Sequence, residues 1–317
     1  MPKVLHLPLN VPGSEQVGQE RGFKEVFGAD SYRCFDYLPM EGSQGKQATN
    51  DALLGVIAEY QPDVVWAQLQ ETNTIAARTW ELIRKTYPSL WLTTWSGDAR
   101  TYVPAGMQQW LPFFDVFYND TDQIDLYQPY CKKYTFMPIA VDPEEATDYS
   151  HPTPKIPDVI FIGNNYNDVF TNGGYRKELM VALTREYGDR FGVFGTGWDQ
   201  SEVNVLGNCP VKHQGAYYNK AKVVISVDHI KGILHWSERL VWALASGTPV
   251  VMENQPNISQ WFGDRIKYFN NTNQAVYHIG KILDNPYRCD ANVQSVLASH
   301  TWKQRAEQVL KDYEGKQ

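Results

Sequence analysis

Residues 237–251 read SERLVWALASGTPVV and contain a helix followed directly by a strand. After Ser237, Glu238 and Arg239, small and apolar residues continue from Leu240 to Gly247, a residue type that suits the position just after a helix C-terminus. Pro249 prevents the helix from continuing, and the apolar residues after it begin a buried strand. The stretch therefore predicts one helix–strand unit of an α/β sheet.

The same alternation of helices and strands extends through the rest of the chain. Short apolar runs predict buried strands, and apolar residues at helical spacing between them predict helices. The predicted strands are Val4–Leu7, Asp63–Ala67, Trp91–Thr94, Phe113–Tyr118, Val159–Ile162, Phe191–Phe194, Lys222–Val227 and Pro249–Met252. Strands that alternate with helices form right-handed βαβ units on a parallel sheet, so the expected fold class is α/β with two Rossmann-like domains.

A proline-rich segment divides the chain into two predicted domains. Residues 151–157, HPTPKIP, are extended and lack periodicity, as is typical of a linker. The N-terminal domain is expected at 1–150 and the C-terminal domain at 158–298, with the carboxyl ends of their strands facing each other across a cleft. Residues 299–317 contain an amphipathic helix, which is expected to pack back on the N-terminal domain.

The length and charge of the chain exclude several classes of protein. Its 317 residues, 43% of them apolar, suit two domains of ordinary size and exclude wholesale disorder. The net charge is −7, but residues 1–150 carry −9 and residues 151–317 carry +2. A non-specific nucleic-acid binder usually has a basic excess, so that class is disfavoured, and an anionic ligand is expected to prefer the second half.

The sequence carries no pattern typical of secretion or of a membrane span. The four cysteines stand far apart, which predicts reduced thiols rather than a zinc site. The first residues enter a strand without the pattern of a signal peptide, and no stretch approaches the roughly 20 apolar residues that cross a bilayer. A cytoplasmic location is therefore expected.

Several short motifs of the second half occur in a defined order. They are DVIFIG at 158–163, Arg176, VFGTGW at 193–198, YYNKAK at 217–222, VVIS at 223–226, SER at 237–239, ALASGTPVV at 243–251 and SHTW at 299–302. In order and spacing they resemble glycosyltransferases of the two-Rossmann (GT-B) fold. Among these they are most similar to the CgeB-like group (spore maturation protein-like, glycosyltransferase group 1), which includes phage-encoded enzymes. The first half resembles the family more loosely, through residues 134–143.

The resemblance implies an enzyme that moves a sugar from a nucleotide diphosphate sugar, expected to be a UDP-sugar, to an acceptor hydroxyl. Domain 158–298 would bind this co-substrate and domain 1–150 the acceptor, which could be a glycan, a small molecule or a DNA base. No tightly bound cofactor and no divalent metal are expected. The enzyme would work in a bacterial cytoplasm, or in that of the host if a phage encodes it.

The start of the helix at Ser237 is the strongest candidate for a phosphate site. Its free N–H groups carry a partial positive charge, and Arg239 can grip a phosphate bidentately. A solvated Glu238–Arg239 pair on an ordinary helix explains the same residues equally well. With the resemblance, the expected donor-binding residues are Gly163, Asn164, Arg176, Gly195, Gly197, Trp198, Ser237, Glu238 and Arg239.

These donor-binding residues have different expected roles. Arg176 and Arg239 would stabilise the negative charge that grows on the departing diphosphate. The glycines would let the backbone approach the nucleotide, and Trp198 would form a stacking wall for it. Related retaining enzymes have a glutamate for the donor ribose at the position of Trp242. Either Glu238, one turn earlier, takes that role here, or ribose recognition differs.

The catalytic base is expected from the first half. Asp98 follows a predicted strand in a polar loop, and Glu20 lies in the first βα loop, so both are candidates, although a solvated loop carboxylate is the commoner explanation for either one taken singly. Gly18, Trp95 and Tyr102 are the expected acceptor-side residues, since aromatic rings stack on sugars and bases alike.

Four alternatives stay open on the sequence alone. The triplet Asp120–Asp122 (DTD) has the form of a metal–diphosphate clamp, but short triplets of this kind arise by chance. A hydroxymethylated pyrimidine in phage DNA could be the acceptor, flipped out of the duplex. The protein could instead epimerise a sugar nucleotide, or bind one without turnover.

Overall fold

The computed structural model describes residues 1–70, 72–166 and 169–316. The chain divides into two compact units. Unit 1 contains Met1–Pro138 together with Trp302–Gln317, and unit 2 contains Ile139–Thr301. Each unit has its own parallel sheet with helices between successive strands, which confirms the predicted α/β fold with two Rossmann-like halves.

Unit 1 is built on a six-stranded sheet in the order β2-β1-β3-β4-β5-β6, in which every described pairing is parallel. The strands are β1 (Val4–Leu7), β2 (Tyr32–Cys34), β3 (Val64–Ala67), β4 (Trp91–Ser96), β5 (Val116–Asn119) and β6 (Tyr134–Phe136). The helices between them are α1 (Val17–Phe27), α2 (Tyr37–Gln44), α3 (Lys46–Tyr60), α4 (Ala77–Thr86), α5 (Ala105–Trp110) and α6 (Ile124–Tyr127). The inner strands are buried on both faces, as parallel sheets require.

Unit 2 is built on a five-stranded sheet in the order β11-β10-β9-β7-β8. Its strands are β7 (Val159–Ile162), β8 (Phe191–Phe194), β9 (Val223–Ser226), β10 (Val250–Glu253) and β11 (Ile266–Phe269). Its helices are α7 (Pro143–Ala146), α8 (Gly173–Tyr187), α9 (Gln214–Lys220), α10 (Glu238–Ala245), α11 (Ile258–Phe262), α12 (Thr272–Asp284) and α13 (Asp290–Ser299). The predicted helix and strand of residues 237–251 are α10 and β10.

The strand order of unit 2 identifies where a ligand is expected. The chain passes from β7 to β8 on one side and then crosses to β9 on the other side, so the order reverses between β7 and β9. In open α/β sheets, ligands bind beyond the carboxyl ends of the strands at this reversal. The loops that follow β7 and β9 are therefore the first place to look for a site.

The last helix, α14 (Trp302–Glu314), belongs to unit 1 although unit 2 precedes it in the chain. It packs against α1 so closely that a Cβ at Gly22 would lie 2.6 Å from the carbonyl carbon of Trp302. The Trp302 ring meets Trp95 edge-on at 5.0 Å, and Tyr118 donates a hydrogen bond of 2.7 Å to Asp312. α14 is thus an integral part of the unit 1 core.

The division between the units differs from the predicted linker. It falls at Pro138–Ile139, directly after β6, and the proline-rich segment 151–157 lies within unit 2. Residues near 141 are held to the end of unit 2, because the Val141 N–H donates to the carbonyl of His300 at 2.8 Å. In the described part of the chain, no helix is long and apolar enough to cross a membrane.

Candidate functional site

Two arginine side chains of unit 2 meet at Gly163, the residue that follows β7. Arg176 extends from α8 and Arg239 from the first turn of α10. A Cβ at Gly163 would lie 2.7 Å from the Nη2 atom of each, so only glycine leaves room for both guanidinium groups. Both groups also lie over the ring of Phe161, at 4.7 Å for Arg176 and 4.4 Å for Arg239. The fold therefore brings together three of the predicted donor-binding residues.

Backbone carbonyls at the carboxyl ends of the strands hold the two arginines in place. Arg239 donates through Nε to the carbonyl of Ile162 at 2.6 Å and through Nη1 to Ser237 Oγ at 3.0 Å. Arg176 donates through Nη2 to the carbonyl of Asn164 at 2.8 Å, while its Nε is buried and has no hydrogen-bond partner among the described residues. Because a guanidinium group has five N–H donors, both side chains keep donors for a ligand.

Neither arginine is neutralised by a direct ion pair. Arg176 is 1% exposed and Arg239 is 8% exposed. Within residues 1–70, 72–166 and 169–316, no carboxylate lies within 4.0 Å of either guanidinium. Burial, and then the neighbouring Arg239, lower the pKa of Arg176 to about 9, and burial lowers the pKa of Arg239 as well. Buried cations are costly unless an anion compensates them, so this cluster is suited to an anionic ligand.

A buried carboxylate lies nearby without forming a salt bridge to the arginines. Burial alone would raise the pKa of Asp228, but His235, Arg239 and Arg176 lower it overall. His235 Nδ1 lies 3.3 Å from Asp228 Oδ2. Burial and the two arginines lower the pKa of His229 to about 3, so its imidazole is neutral near pH 7. The loop after β9 thus contributes one negative charge and one neutral ring to the edge of the site.

The glycines after β8 are explained by loop packing within unit 2. A Cβ at Gly195 would lie 2.2 Å from the carbonyl oxygen of Gly163, and a Cβ at Gly197 would lie 2.1 Å from that of Asn165. The Gly163 N–H also donates to the carbonyl of Phe194 at 2.8 Å, so the hydrogen bonding between β7 and β8 continues into the loops that follow them. In this structure, Gly195 and Gly197 therefore allow the loops after β7 and β8 to touch each other.

Trp198 does not form the stacking wall that the sequence predicted. Its side chain is 8% exposed and packs in the core of unit 2, edge-on to Phe161 at 5.8 Å. Its Nε1 donates to the carbonyl of Gly163 at 2.8 Å. The indole is therefore covered by the core of unit 2, and its hydrogen bond stabilises the loop at Gly163. Asn164 likewise stabilises this loop, since its Oδ1 accepts from the Thr196 N–H at 2.9 Å.

The start of α10 combines a serine, a carboxyl group and an indole. Ser237 precedes the helix and accepts a hydrogen bond from Arg239 instead of capping the helix with its side chain. Trp242, buried one turn further, donates through Nε1 to Glu238 Oε1 at 3.0 Å. Burial raises the pKa of Glu238 to about 7. The tryptophan that stands in place of the expected glutamate therefore holds the carboxyl group one turn earlier.

Of the residues predicted in unit 1, Asp98, Glu20 and Tyr102 are at least partly exposed, whereas Gly18 and Trp95 are buried. Asp98 forms an ion pair of 3.0 Å with Arg100, and Glu20, in the first turn of α1, pairs with Lys24. Tyr102 is 65% exposed, and Gly18 is buried in α1. Trp95 is a correction: it is 2% exposed and donates through Nε1 to the carbonyl of Met137 at 2.9 Å. As a core residue of β4, it has no free face for an acceptor.

The triplet Asp120–Asp122 does not present two matched carboxylates. Asp120 is buried and Asp122 is exposed. In the part of the chain that the structure describes, no group of three or more His, Cys, Asp or Glu side chains is placed to hold a metal ion.

Sequence reasoning missed the polar residues after β9, Asp228, His229 and His235, and the exposed Tyr166 after β7. They lie in loops, where no periodicity marks them. One usable signal was present: polar and aromatic residues directly after buried strands collect at the carboxyl edge of a parallel sheet.

Comparison with known proteins bears on the fold of the chain and on its second half. A family model described as "Glycosyl transferase-like" matches residues 176–311. No curated protein sequence matches the chain. Among solved structures, a glycosyltransferase from Rickettsia africae ESF-5 is similar with 13% identity and a TM-score of 0.63, over 99% of this chain and 98% of that one. Sucrose-phosphate synthase from Thermosynechococcus elongatus is similar with 12% identity and a TM-score of 0.66, over 99% of both chains.

A third similar structure is AviGT4, a glycosyltransferase involved in avilamycin A biosynthesis, with 16% identity and a TM-score of 0.61, over 99% of this chain and 97% of that one. At these identities the likeness establishes the fold alone. The chain therefore has the two-Rossmann fold of GT-B glycosyltransferases, and its glycosyl transferase-like segment, residues 176–311, supports an enzyme that transfers glycosyl groups.

Proposed function

We propose that this protein transfers a sugar from a nucleotide diphosphate sugar, expected to be a UDP-sugar, and that Arg176 and Arg239 bind the diphosphate. The observation that carries the proposal is the pair of buried guanidinium groups at Gly163, for which the described residues supply no direct carboxylate partner. A diphosphate would compensate both charges at once. Guanidinium groups suit it further because they bind phosphate oxygens bidentately.

The same arrangement suits the chemistry of glycosyl transfer. The bond from the sugar to the diphosphate breaks through an oxocarbenium-like transition state, in which negative charge grows on the leaving group. Cations held rigidly by Ile162, Asn164 and Ser237 stabilise that charge without having to reorganise. The N-terminus of α10, at Ser237, adds backbone N–H groups and a partial positive charge.

Glu238 is proposed as the carboxyl group that contacts the ribose of the donor. The hydrogen bond from Trp242 fixes its orientation, and its position in the first turn of α10 keeps it close to Arg239 along the chain. Gly163 and Asn164 complete the proposed donor site through the shape of the loop after β7. Gly195, Gly197 and Trp198 act behind this loop, by supporting it.

The acceptor is proposed to bind to unit 1, with Asp98 or Glu20 as the base that accepts the proton of its hydroxyl group. Both carboxylates are at least partly accessible and Tyr102 is exposed, so Tyr102 remains the proposed acceptor-side contact, whereas Trp95 and Gly18 are buried. A glycan or a small molecule fits the net charge of −9 in residues 1–150 better than DNA does. A hydroxymethylated pyrimidine, as expected for a phage enzyme of the CgeB-like group, is the alternative acceptor.

The arginine pair can be tested with a control arginine on α8, the helix that carries Arg176. We expect Arg176→Ala and Arg239→Ala each to weaken binding of UDP or GDP by about tenfold to a hundredfold, because each removes charge-assisted hydrogen bonds to the diphosphate. Arg185→Ala, which removes an exposed arginine of α8, should bind as the wild type does. Isothermal titration calorimetry measures all three. Unchanged affinity in both site variants would contradict the assignment.

A stability measurement separates a ligand site from a structural role. Because Arg176 is a buried cation to which the described residues offer no ion pair, Arg176→Met should leave the ligand-free protein at least as stable as the wild type. A large loss of stability would instead mean that the guanidinium serves the fold.

Incubation with a panel of nucleotide sugars, glycans and hydroxymethylated DNA, followed by mass spectrometry, identifies the reaction. Transfer or donor hydrolysis supports a transferase, whereas an epimerised donor, or binding without turnover, would overturn it.

A further inference from the structure

An exposed tyrosine ring borders the arginine pair. Tyr166 lies in the loop between β7 and α8, and 47% of its surface is exposed. Its ring packs against His229, with the ring centroids 4.9 Å apart, and meets Phe170 edge-on at 5.8 Å. His229 also contacts Phe170, at 5.0 Å. Tyr166, Phe170 and His229 are here called the aromatic wall, in which Tyr166 contacts the other two rings and keeps about half of its surface exposed.

The aromatic wall is next to the two arginines. Arg176 and Arg239 both act on the imidazole of His229, which burial and these two charges keep neutral, with a pKa of about 3. Asn164 links Tyr166 to the arginine pair, because its carbonyl accepts a hydrogen bond from Arg176 Nη2 at 2.8 Å and its side-chain amide lies 3.4 Å from the Tyr166 hydroxyl group. An uncharged ring surface and a pair of buried cations therefore lie side by side at the carboxyl edge of β7 and β9.

Two backbone hydrogen bonds, at Asn165 and at Asn172, join the described parts of this loop to neighbouring loops. Asn165 donates its N–H to the carbonyl of Thr196 at 2.8 Å, and Asn172 donates its N–H to the carbonyl of His229 at 2.9 Å. The amide of Asn164 lies 3.4 Å from the Tyr166 hydroxyl group. These contacts hold the loop around Tyr166 without a ligand. Stacking of a ligand ring on Tyr166 would therefore cost the protein little conformational entropy.

We propose that Tyr166 is a specificity-determining residue, which stacks on a ring of the donor while Arg176 and Arg239 bind the diphosphate to which that ring is joined. The inference rests on the proposed function and adds the residue that recognises more than phosphate. Both a nucleobase and the apolar face of a sugar can stack on an aromatic ring, and both are joined to a diphosphate in a nucleotide sugar. An inorganic anion offers no such ring, so Tyr166 separates the true donor from free phosphates.

The test compares binding of inorganic pyrophosphate, UDP, GDP, UDP-glucose and UDP-N-acetylglucosamine to the full-length wild type and three variants. We expect Tyr166→Ala to bind the wild type's best nucleotide probe about tenfold more weakly and to bind pyrophosphate as the wild type does. Tyr166→Phe keeps the ring and should keep the affinity. Tyr277→Ala removes a tyrosine of α12 that is 60% exposed, and it should change nothing.

The probes also identify the ring. A loss that already appears with UDP or GDP assigns Tyr166 to the nucleobase, and a loss confined to the sugar nucleotides assigns it to the sugar; both support the proposal. Equal affinity of Tyr166→Ala and the wild type for every probe would overturn it. So would an equal loss for pyrophosphate, because Tyr166 would then act through the arginines. If the wild type binds none of the probes, the proposed function itself is wrong, and this inference with it.

Discussion

At the scale of single residues, the protein maintains a charge arrangement that its own folding does not favour. Arg176 and Arg239 are buried, have the same charge and meet at Gly163. Asp228 offsets part of that charge from a distance, without a salt bridge. Groups of this kind destabilise a fold unless a ligand completes them, which is why we place binding, and not stability, at the arginine pair.

The two candidate bases can be separated by conservative substitutions. If Asp98 accepts the proton of the acceptor hydroxyl, Asp98→Asn should lower turnover by about a hundredfold or more and leave donor affinity unchanged. Glu20→Gln is the matched control and should then have little effect. Steady-state kinetics together with donor titration distinguish the two. Equal losses of turnover and of donor affinity in Asp98→Asn would remove Asp98 from this role.

Glu238 predicts a dependence of stability on pH. Folding raises its pKa from 4.5 to about 7, so between these values the folded protein binds more protons than the unfolded chain. The contribution of Glu238 to the free energy of unfolding is therefore largest at low pH and is lost as the pH rises through about 7. Urea denaturation from pH 5 to 8 should show this decline in the wild type relative to Glu238→Gln.

The exposed Glu178 of α8 provides the control for that measurement, since Glu178→Gln should leave the pH profile of the wild type unchanged. Parallel profiles for the wild type and Glu238→Gln would show that the environment of Glu238 is not the one described. The comparison isolates one group, whereas the absolute profile also contains contributions from other buried groups such as Asp228.

Residue types at the candidate site were predictable only in part. Arg239 was identified from the phosphate-binding chemistry of a helix N-terminus, whereas Gly163 and Arg176 came from the family resemblance, and the fold brings these three together. Trp95 and Trp198 were misjudged because burial of a tryptophan depends on what packs over it, which a single strand end does not reveal. Tyr166 and His229 were missed because their partners are distant in sequence.

At the scale of elements, the strands were predictable where the sheet is covered on both faces. β1, β3, β4, β5, β7, β8, β9 and β10 are fully buried strands, and each was expected from the sequence. The strands that were missed, β2, β6 and β11, lie at sheet edges and are only partly buried. β8 is also at an edge but is buried, so partial burial, and not the edge position alone, explains why the other three lack the apolar pattern.

The packing of α1 on α14 allows a prediction about two glycines. A Cβ at Gly22 would meet the backbone of Trp302 at 2.6 Å, so Gly22→Ala forces the two helices apart and should destabilise the protein by about 1–3 kcal/mol. Gly55, inside α3, has nothing within 4 Å of a Cβ, and Gly55→Ala should stabilise by about 0.5–1 kcal/mol. Thermal and urea unfolding measure both. Equal effects of the two substitutions would contradict the close helix contact.

At the scale of the whole molecule, the two sheets have the same strand order at their starts, with the second strand beside the first and the third on its other side. The linker prediction missed the division between the units because it relied on proline content. The chain leaves unit 1 directly after β6, and the prolines at 151–157 lie in unit 2. The net charges of −9 for residues 1–150 and +2 for residues 151–317 predicted that an anionic ligand prefers the second half, and the arginine pair lies in that half.

The position of α14 also sets an order of events during synthesis. A ribosome completes all of unit 2, up to Thr301, before it makes the helix that covers Trp95, Tyr118 and Gly22. Unit 2 is continuous in the chain and can close as soon as it emerges. Unit 1 begins before unit 2 but is completed after it, and the side of its sheet that receives α14 stays open until that helix has been made.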